Sequence, residues 1–171
     1  MGQVLAVISG KGGTGKTSMC AGVAGCLCME GARVLCIDAD LGLRNLDISL
    51  GMTSEAGLSF LDVMRGDYAI EQAPRAAGLP GLQLLTAPVS VRAGELDMAQ
   101  FEALLCRARE SYDWVLIDAP AGVGAGFELA IRFADEFMIV CLADPASQRD
   151  AARAAELALS RRDVQIGRAH V

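Results

Sequence analysis

The sequence predicts an α/β protein: a doubly wound, mostly parallel sheet with helices on both faces. Three observations lead there. Short, nearly continuous apolar runs such as Val4-Leu5-Ala6-Val7-Ile8 and Val34-Leu35-Cys36-Ile37 recur along the chain, and strands of that kind are covered on both faces. Segments with helical apolar spacing separate the runs, and strand–helix–strand units join parallel neighbours by right-handed crossovers. Two of the runs end in aspartate, Asp38 and Asp118, and the first runs into a glycine loop. These features gather on one edge of the sheet, at the carboxyl ends of the strands, where open α/β sheets bind ligands.

Taken in order, Gln3 to Ile8 is the first strand. A helix from about Lys16 to Glu30 follows. Its Gly22, Gly25 and alanines weaken intrinsic helicity but allow close packing on the sheet, and Gly31 ends it in the usual way. Arg33 to Asp38 is the second strand, and Asp38 to Asn45 a loop. A short helical stretch from Leu46 to Leu50 closes at Gly51. Leu58 to Arg65 has helical spacing and closes at Gly66, and Pro74 to Gly81 is a turn-rich connection. Leu82 to Thr86 is a strand that Pro88 stops. Asp97 to Glu110 is an amphipathic helix with Phe101, Leu104, Leu105 and Ala108 on one face. Trp114 to Asp118 is a buried strand, Phe127 to Phe133 a short helix, and Phe137 to Cys141 a further strand. Ser147 to Leu159 is an alanine-rich helix, with Ser147 as its N-cap and Arg149 and Asp150 in a solvated first turn.

At 171 residues and 53% apolar content the chain holds one domain with a generous core. No apolar run approaches membrane-spanning length. The first strand starts at once, with no basic and apolar leader before it, so the expected location is cytoplasmic. A formal net charge of −6 argues against a nucleic-acid surface, which needs a basic stripe. Cys20, Cys26, Cys28, Cys36, Cys106 and Cys141 form no C-x-x-C pair. They fall in apolar patterns, and all six read as small buried hydrophobes of a reducing compartment. The last six residues, Ile166-Gly167-Arg168-Ala169-His170-Val171, resemble the translation of a sequencing adaptor. The expected division is therefore a domain at 1–165, incomplete at its C-terminus, and a non-native tail at 166–171 that carries the sole histidine.

The chemistry concentrates in Ile8-Ser9-Gly10-Lys11-Gly12-Gly13-Thr14-Gly15-Lys16-Thr17, which fits G-x-x-x-x-G-K-[ST] with Gly10, Gly15, Lys16 and Thr17 in place. Glycines let successive N–H groups turn inward on phosphate oxygens, and the following helix adds the partial positive charge of its N-terminus. The motif assigns Lys16 to the β- and γ-phosphates and the Thr17 hydroxyl to Mg²⁺, so the loop from Gly10 through Lys11, Gly12, Gly13, Thr14, Gly15, Lys16 and Thr17 to Ser18 is the candidate nucleotide cradle. Asp118 ends four apolar residues, the pattern of a carboxylate that holds Mg²⁺ through oxygen. Asp38 and Asp40 begin the other strand-end loop. A carboxylate beside lysines can orient an in-line water for hydrolysis, and loop solvation is the alternative.

Lys11, directly after Gly10, is a second loop lysine. By residue type alone it is equally a solvent-facing side chain. Lys11-Gly12-Gly13-Thr14-Gly15-Lys16-Thr17 resembles the deviant Walker A loop of the MinD/ParA ATPases. In that family the extra lysine reaches across a dimer interface to the nucleotide of the partner subunit. Asp38-Ala39-Asp40-Leu41-Gly42-Leu43-Arg44-Asn45-Leu46-Asp47 resembles the first switch segment of the MinD branch, and Asp118-Ala119-Pro120-Ala121-Gly122 its second, although this chain has Gly124 where that branch has an acidic residue. The segment from Asp144 to Asp150 is also similar. The resemblance runs from Gln3 to about Leu159. It implies a P-loop NTPase fold that uses ATP and Mg²⁺, with Lys11, Lys16 and Asp40 in catalysis and Thr17, Asp38 and Asp118 around the metal. It further implies an ATP-dependent homodimer acting in septum placement, with a MinC-like inhibitor and a MinE-like activator. Attachment would be peripheral, to the inner face of the cell membrane, through a C-terminal amphipathic helix beyond this chain. A flagellar-number regulator, a ParA-like DNA partition ATPase and a nucleotide-binding fragment without activity of its own remain alternatives. An iron–sulfur carrier on the same scaffold would need paired cysteines.

Overall fold

The computed structural model describes residues 1–41, 44–52, 58–92, 94–122 and 124–161. Gly42 and Leu43 of the first switch stretch, His170 and the tail 166–171 lie outside the described residues. The elements in order are β1 (Gln3–Ile8), α1 (Lys16–Met29), β2 (Val34–Asp38), α2 (Leu46–Ser49), α3 (Phe60–Met64), β3 (Arg75–Ala76), β4 (Leu82–Leu85), α4 (Met98–Ser111), β5 (Trp114–Asp118), α5 (Ala125–Arg132), β6 (Glu136–Ile139) and α6 (Pro145–Arg161). They form a six-stranded sheet in the order β3-β4-β2-β5-β1-β6. All pairs are parallel except β3 with β4.

Both faces of the sheet are packed, which is why the strands read as continuous apolar runs. Successive residues alternate between the two cores. Val4, Ala6, Ile8, Leu35, Ile37, Val115 and Ile117 join one core with the inner faces of α3, α4, α5 and α6. Leu5, Val7, Val34, Cys36, Leu82, Leu84 and Leu116 join the other with Cys20 and Ala24 of α1 and Leu46 of α2. In the larger core Phe60 and Phe101 meet edge to face, with centroids 5.8 Å apart at 72°. That geometry adds about 1 kcal/mol to what their burial supplies.

Local chemistry sets the element ends. Gly31, Gly51 and Gly66 close α1, α2 and α3 with φ of 89°, 69° and 80°, the left-handed conformation that glycine adopts freely. Asp97 stands outside α4 and caps it, accepting from the N–H groups of Ala99 at 2.8 Å and Gln100 at 3.2 Å. Three expectations need correction. The turn-rich stretch 74–81 contains an edge strand, β3, whose two residues pair antiparallel with Leu84 and Gln83. Ser147 does not cap α6: the helix starts at Pro145, and the Asp144 carboxylate accepts from the Ser147 N–H at 2.9 Å, while the Ser147 hydroxyl accepts from the Leu142 N–H. The cysteines are not uniformly buried: Cys20 and Cys36 are, Cys28 is half-buried, and Cys26, Cys106 and Cys141 are exposed.

Candidate functional site

Strand order builds the site. β5 lies between β1 and β2, so the loop after β1 and the carboxyl ends of β5 and β2 follow one another along one edge of the sheet. Asp118 faces Val7 across one ladder and Asp38 across the other. A backbone hydrogen bond from Ala39 N–H to the Asp118 carbonyl, 2.9 Å, continues the ladder past the strand ends. The sheet thus places two aspartates and the glycine loop on one edge.

The loop is held by backbone conformation more than by packing. Gly13 and Gly15 have φ of 76° and 85°, and a Cβ on either would meet nothing within 4 Å. Glycine is needed there because of the left-handed backbone, not for want of space. Gly10 is the opposite case. A Cβ there would sit 2.2 Å from the backbone carbonyl of Asp150, so the first glycine of the motif lets α6 dock directly on the loop. The expected solvated first turn of α6 is therefore a packed one on that side. The buried Ser9 hydroxyl donates to the Lys11 carbonyl at 3.0 Å. Gly15 precedes α1 with no side chain capping the helix, which leaves its first-turn N–H groups available to an anion.

These residues enclose a cavity of about 200 Å³, lined by Ser9, every residue from Lys11 to Ser18, Asp40, Asn45 and Ala121. The Thr14 hydroxyl is buried without a partner among the described residues. A phosphate group fits that donor set of loop N–H groups, hydroxyls and lysine. A larger cavity of about 490 Å³ between α5 and α6 carries neither loop lysine nor a strand-end aspartate, so the candidate residues gather at the smaller one.

Lys16, in the first turn of α1, is buried and pairs with Asp118 at 2.5 Å. Burial holds the Asp118 carboxyl above its ordinary range; Lys16 and the Thr17 hydroxyl, both hydrogen-bonded to it, pull the other way. Asp38 is buried behind the loop. One oxygen accepts from the Asp40 N–H at 2.9 Å and the other from the Leu46 N–H at 3.2 Å. Burial pushes its carboxyl up to about 6, against those two hydrogen bonds and with help from the nearby Asp118 and Asp40 charges. Asp38 therefore organises both ends of the switch loop. Lys11 is only partly covered and pairs with Asp144 at 3.3 Å. That pair and the Ser147 N–H hold the Asp144 carboxyl below its ordinary range, the Ser147 bond contributing most.

The structure brings Lys11, Gly12, Gly13, Thr14, Gly15, Lys16, Thr17, Ser18 and Asp40 onto one cavity wall and ties Asp118 to it through Lys16 and Thr17. Gly10 and Asp38 stand behind that wall, supporting it. Two contributors went unassigned in the sequence. Asn45 lines the cavity, and the decapeptide that contains it was the available signal. Asp144 pairs with Lys11 from the far end of the chain, and nothing in linear spacing brings the two together.

A family model described as an AAA domain matches residues 2–153. The septum site-determining protein MinD of Synechocystis is 36% identical over 154 residues, which are 90% of this chain and 58% of that protein. MinD of Helicobacter pylori gives the same figures, 36%, 90% and 58%. Among solved structures, the MinC:MinD cell division protein complex of Aquifex aeolicus superposes with a TM-score of 0.82 at 37% identity, covering 92% of this chain and 64% of that one. MinD of Pyrococcus horikoshii, complexed with Mg-ADP, superposes with a TM-score of 0.80 at 26% identity, covering 94% and 66%. The chain thus spans about 58% of the length of these curated relatives.

Proposed function

The chain belongs to the MinD/ParA family of P-loop ATPases, and from that membership we propose that it is the catalytic part of a MinD-type ATPase of cell division. The observation that carries this reading is the joint wall of one cavity: the two-lysine glycine loop, Asp40 and, behind Lys16, the buried Asp118. In this reading the N–H groups from Lys11 to Thr17 hold the β- and γ-phosphates of ATP, and Lys16 supplies the compensating charge. Thr17 and Asp118 are the oxygen donors for Mg²⁺, with Asp38 in support. Mg²⁺, when bound, neutralises charge on the phosphates. Asp40 orients the attacking water. Asp38 holds the switch loop at Asp40 and Leu46, so a change at the γ-phosphate end of the cavity passes directly to that loop.

Lys11 is the candidate for contact with a second subunit. Lys11 and its partner Asp144 are both only partly covered, and a solvent-accessible pair of this kind is weak, so the lysine can leave it to reach another nucleotide. The MinC:MinD complex of Aquifex supports a MinC-like inhibitor as a partner of the full-length protein. An ATP-dependent homodimer, a MinE-like activator and peripheral attachment to the inner face of the cell membrane complete the proposal. Among the described residues no helix is long and apolar enough to cross a membrane.

The test is nucleotide binding by the full-length protein, followed with a fluorescent ATP analogue. Lys16→Ala removes a buried charged donor and is expected to weaken binding roughly a hundredfold or more. Unchanged affinity in a variant whose far-ultraviolet circular dichroism remains that of the wild type would refute the assignment.

A further inference from the structure

A separate cavity, similar in size to the loop cavity, lies between α3, the segment after β4 and the residues that lead into α2. Its volume is about 220 Å³, and Arg44, Ser59, Asp62, Arg65 and Ser90 supply its polar wall. Most of these groups are already engaged. Arg65 gives one nitrogen to Glu95 at 2.6 Å, and an Asp62 oxygen accepts from the Ser59 N–H and hydroxyl. Arg44 differs. Its Nε is buried and finds no partner among the described residues, an unusual state for a group that carries charge. Arg44 is also the one non-glycine residue with positive φ, 48°, among those described, a conformation that costs an arginine energy. Its neighbour Asn45 lines the loop cavity, so consecutive residues serve two different cavities.

We propose that this second cavity binds a small oxyanion, a phosphate or carboxylate group, through the guanidinium of Arg44. The planar fork of arginine matches such a group with two parallel hydrogen bonds. The free N–H groups of Arg65 and the Ser90 hydroxyl stand on the same wall. With Arg65 offset by Glu95 and the Asp62 carboxylate also on the wall, where it accepts from Ser59, the net positive charge is small and the site suits a single small anion. The volume is below that of pockets for drug-sized ligands, which points the same way. The site does not depend on what the loop cavity binds.

The experiment is a titration of the ¹⁵N-labelled full chain with inorganic phosphate and, separately, with succinate, read by NMR at the Arg44 and Arg65 Nε–H and Ser90 amide signals. Loss of one Nε–H signal in Arg44→Gln assigns Arg44. Expected are saturable shifts of these signals with at least one anion. In both Arg44→Gln and Arg44→Lys, the latter retaining charge without the fork, the Arg65 and Ser90 shifts should need roughly tenfold more anion. Amide signals of Gly13 and Gly15 should respond equally in all three proteins. Saturation by phosphate alone identifies a phosphoryl ligand, and by succinate alone a carboxylate. Signals that stay put at tens of millimolar, that move linearly as they do with sodium chloride, or that move alike in wild type and Arg44→Gln overturn the proposal.

Discussion

Asp38 anchors the loop that follows it and is nevertheless costly to ionise. Its two oxygens hold the N–H groups of Asp40 and Leu46, yet burial raises its carboxyl from 3.8 to about 6. The sign of the linkage follows. Between pH 4 and pH 6 the unfolded chain has released this proton and the folded chain has not, so stability falls as pH rises through that window. Asp38 then costs on the order of 3 kcal/mol when fully ionised, the size of a two-unit shift. Asp118, raised by burial as well, adds to the same slope. In Mg²⁺-free buffer, urea midpoints of the wild type are expected to decline relative to those of Asp38→Asn from pH 4 to pH 6 and to run parallel above it. Parallel curves across the whole range would mean that burial does not govern Asp38. At this scale the sequence was informative where a motif fixes spacing. Lys16 and Thr17 were legible from the loop, and Asp118 from the apolar run before it. Asp38 could be placed beside Asp118 at the carboxyl edge of the sheet but not as the anchor of its own loop, because its partners are backbone N–H groups that carry no side-chain signature.

The loop works as one unit with the helices on either side. Gly10 and Gly22 look alike in a sequence and have opposite roles in the fold. A methyl group at Gly10 would collide with the Asp150 backbone at 2.2 Å, whereas at Gly22, inside α1, nothing lies within 4 Å. Gly10→Ala is therefore expected to destabilise the protein by about 1–3 kcal/mol through overpacking. Gly22→Ala is expected to stabilise it by about 0.4–1 kcal/mol, by restricting the unfolded chain and improving helix propensity. Urea unfolding of the two variants checks both signs together, and loss of stability in Gly22→Ala would point to an unseen constraint on α1. The long, strongly patterned elements were readable in advance, and β5 matches its expected limits, Trp114 to Asp118, at both ends. The misses have local causes. β3 is two residues long and paired only through β4, too short for any periodicity to register. The start of α6 was misplaced because Asp144, Pro145 and Ser147 all carry N-terminal signals, and the aspartate, three residues further out, took the cap. Exposure of Cys26, Cys106 and Cys141 follows from which face of each element they occupy, and apolar composition does not report that.

For the molecule as a whole, parallel order made the doubly wound architecture legible: continuous apolar strands need two covered faces, and helices between them supply both. What linear order could not give is the convergence of distant segments. Lys11 meets Asp144, and Lys16 meets Asp118, only because β1 lies between β5 and β6. That arrangement gives the two lysines different surroundings. Lys16 is buried against Asp118, while Lys11 is partly exposed and held by a weak pair with Asp144. The proposed cycle then makes distinct demands on Asp40 and Lys11. In the full-length protein, Asp40→Ala should bind ATP and persist as a dimer in light scattering, because the water is no longer oriented and the dimer is not released by hydrolysis. Lys11→Ala should retain measurable nucleotide binding through Lys16 and the loop N–H groups yet remain a monomer with ATP. A normal turnover rate in Asp40→Ala would remove that residue from the chemistry. Dimerisation of Lys11→Ala at wild-type ATP concentrations would confine Lys11 to its pair with Asp144, and the contact across subunits would have to come from another residue.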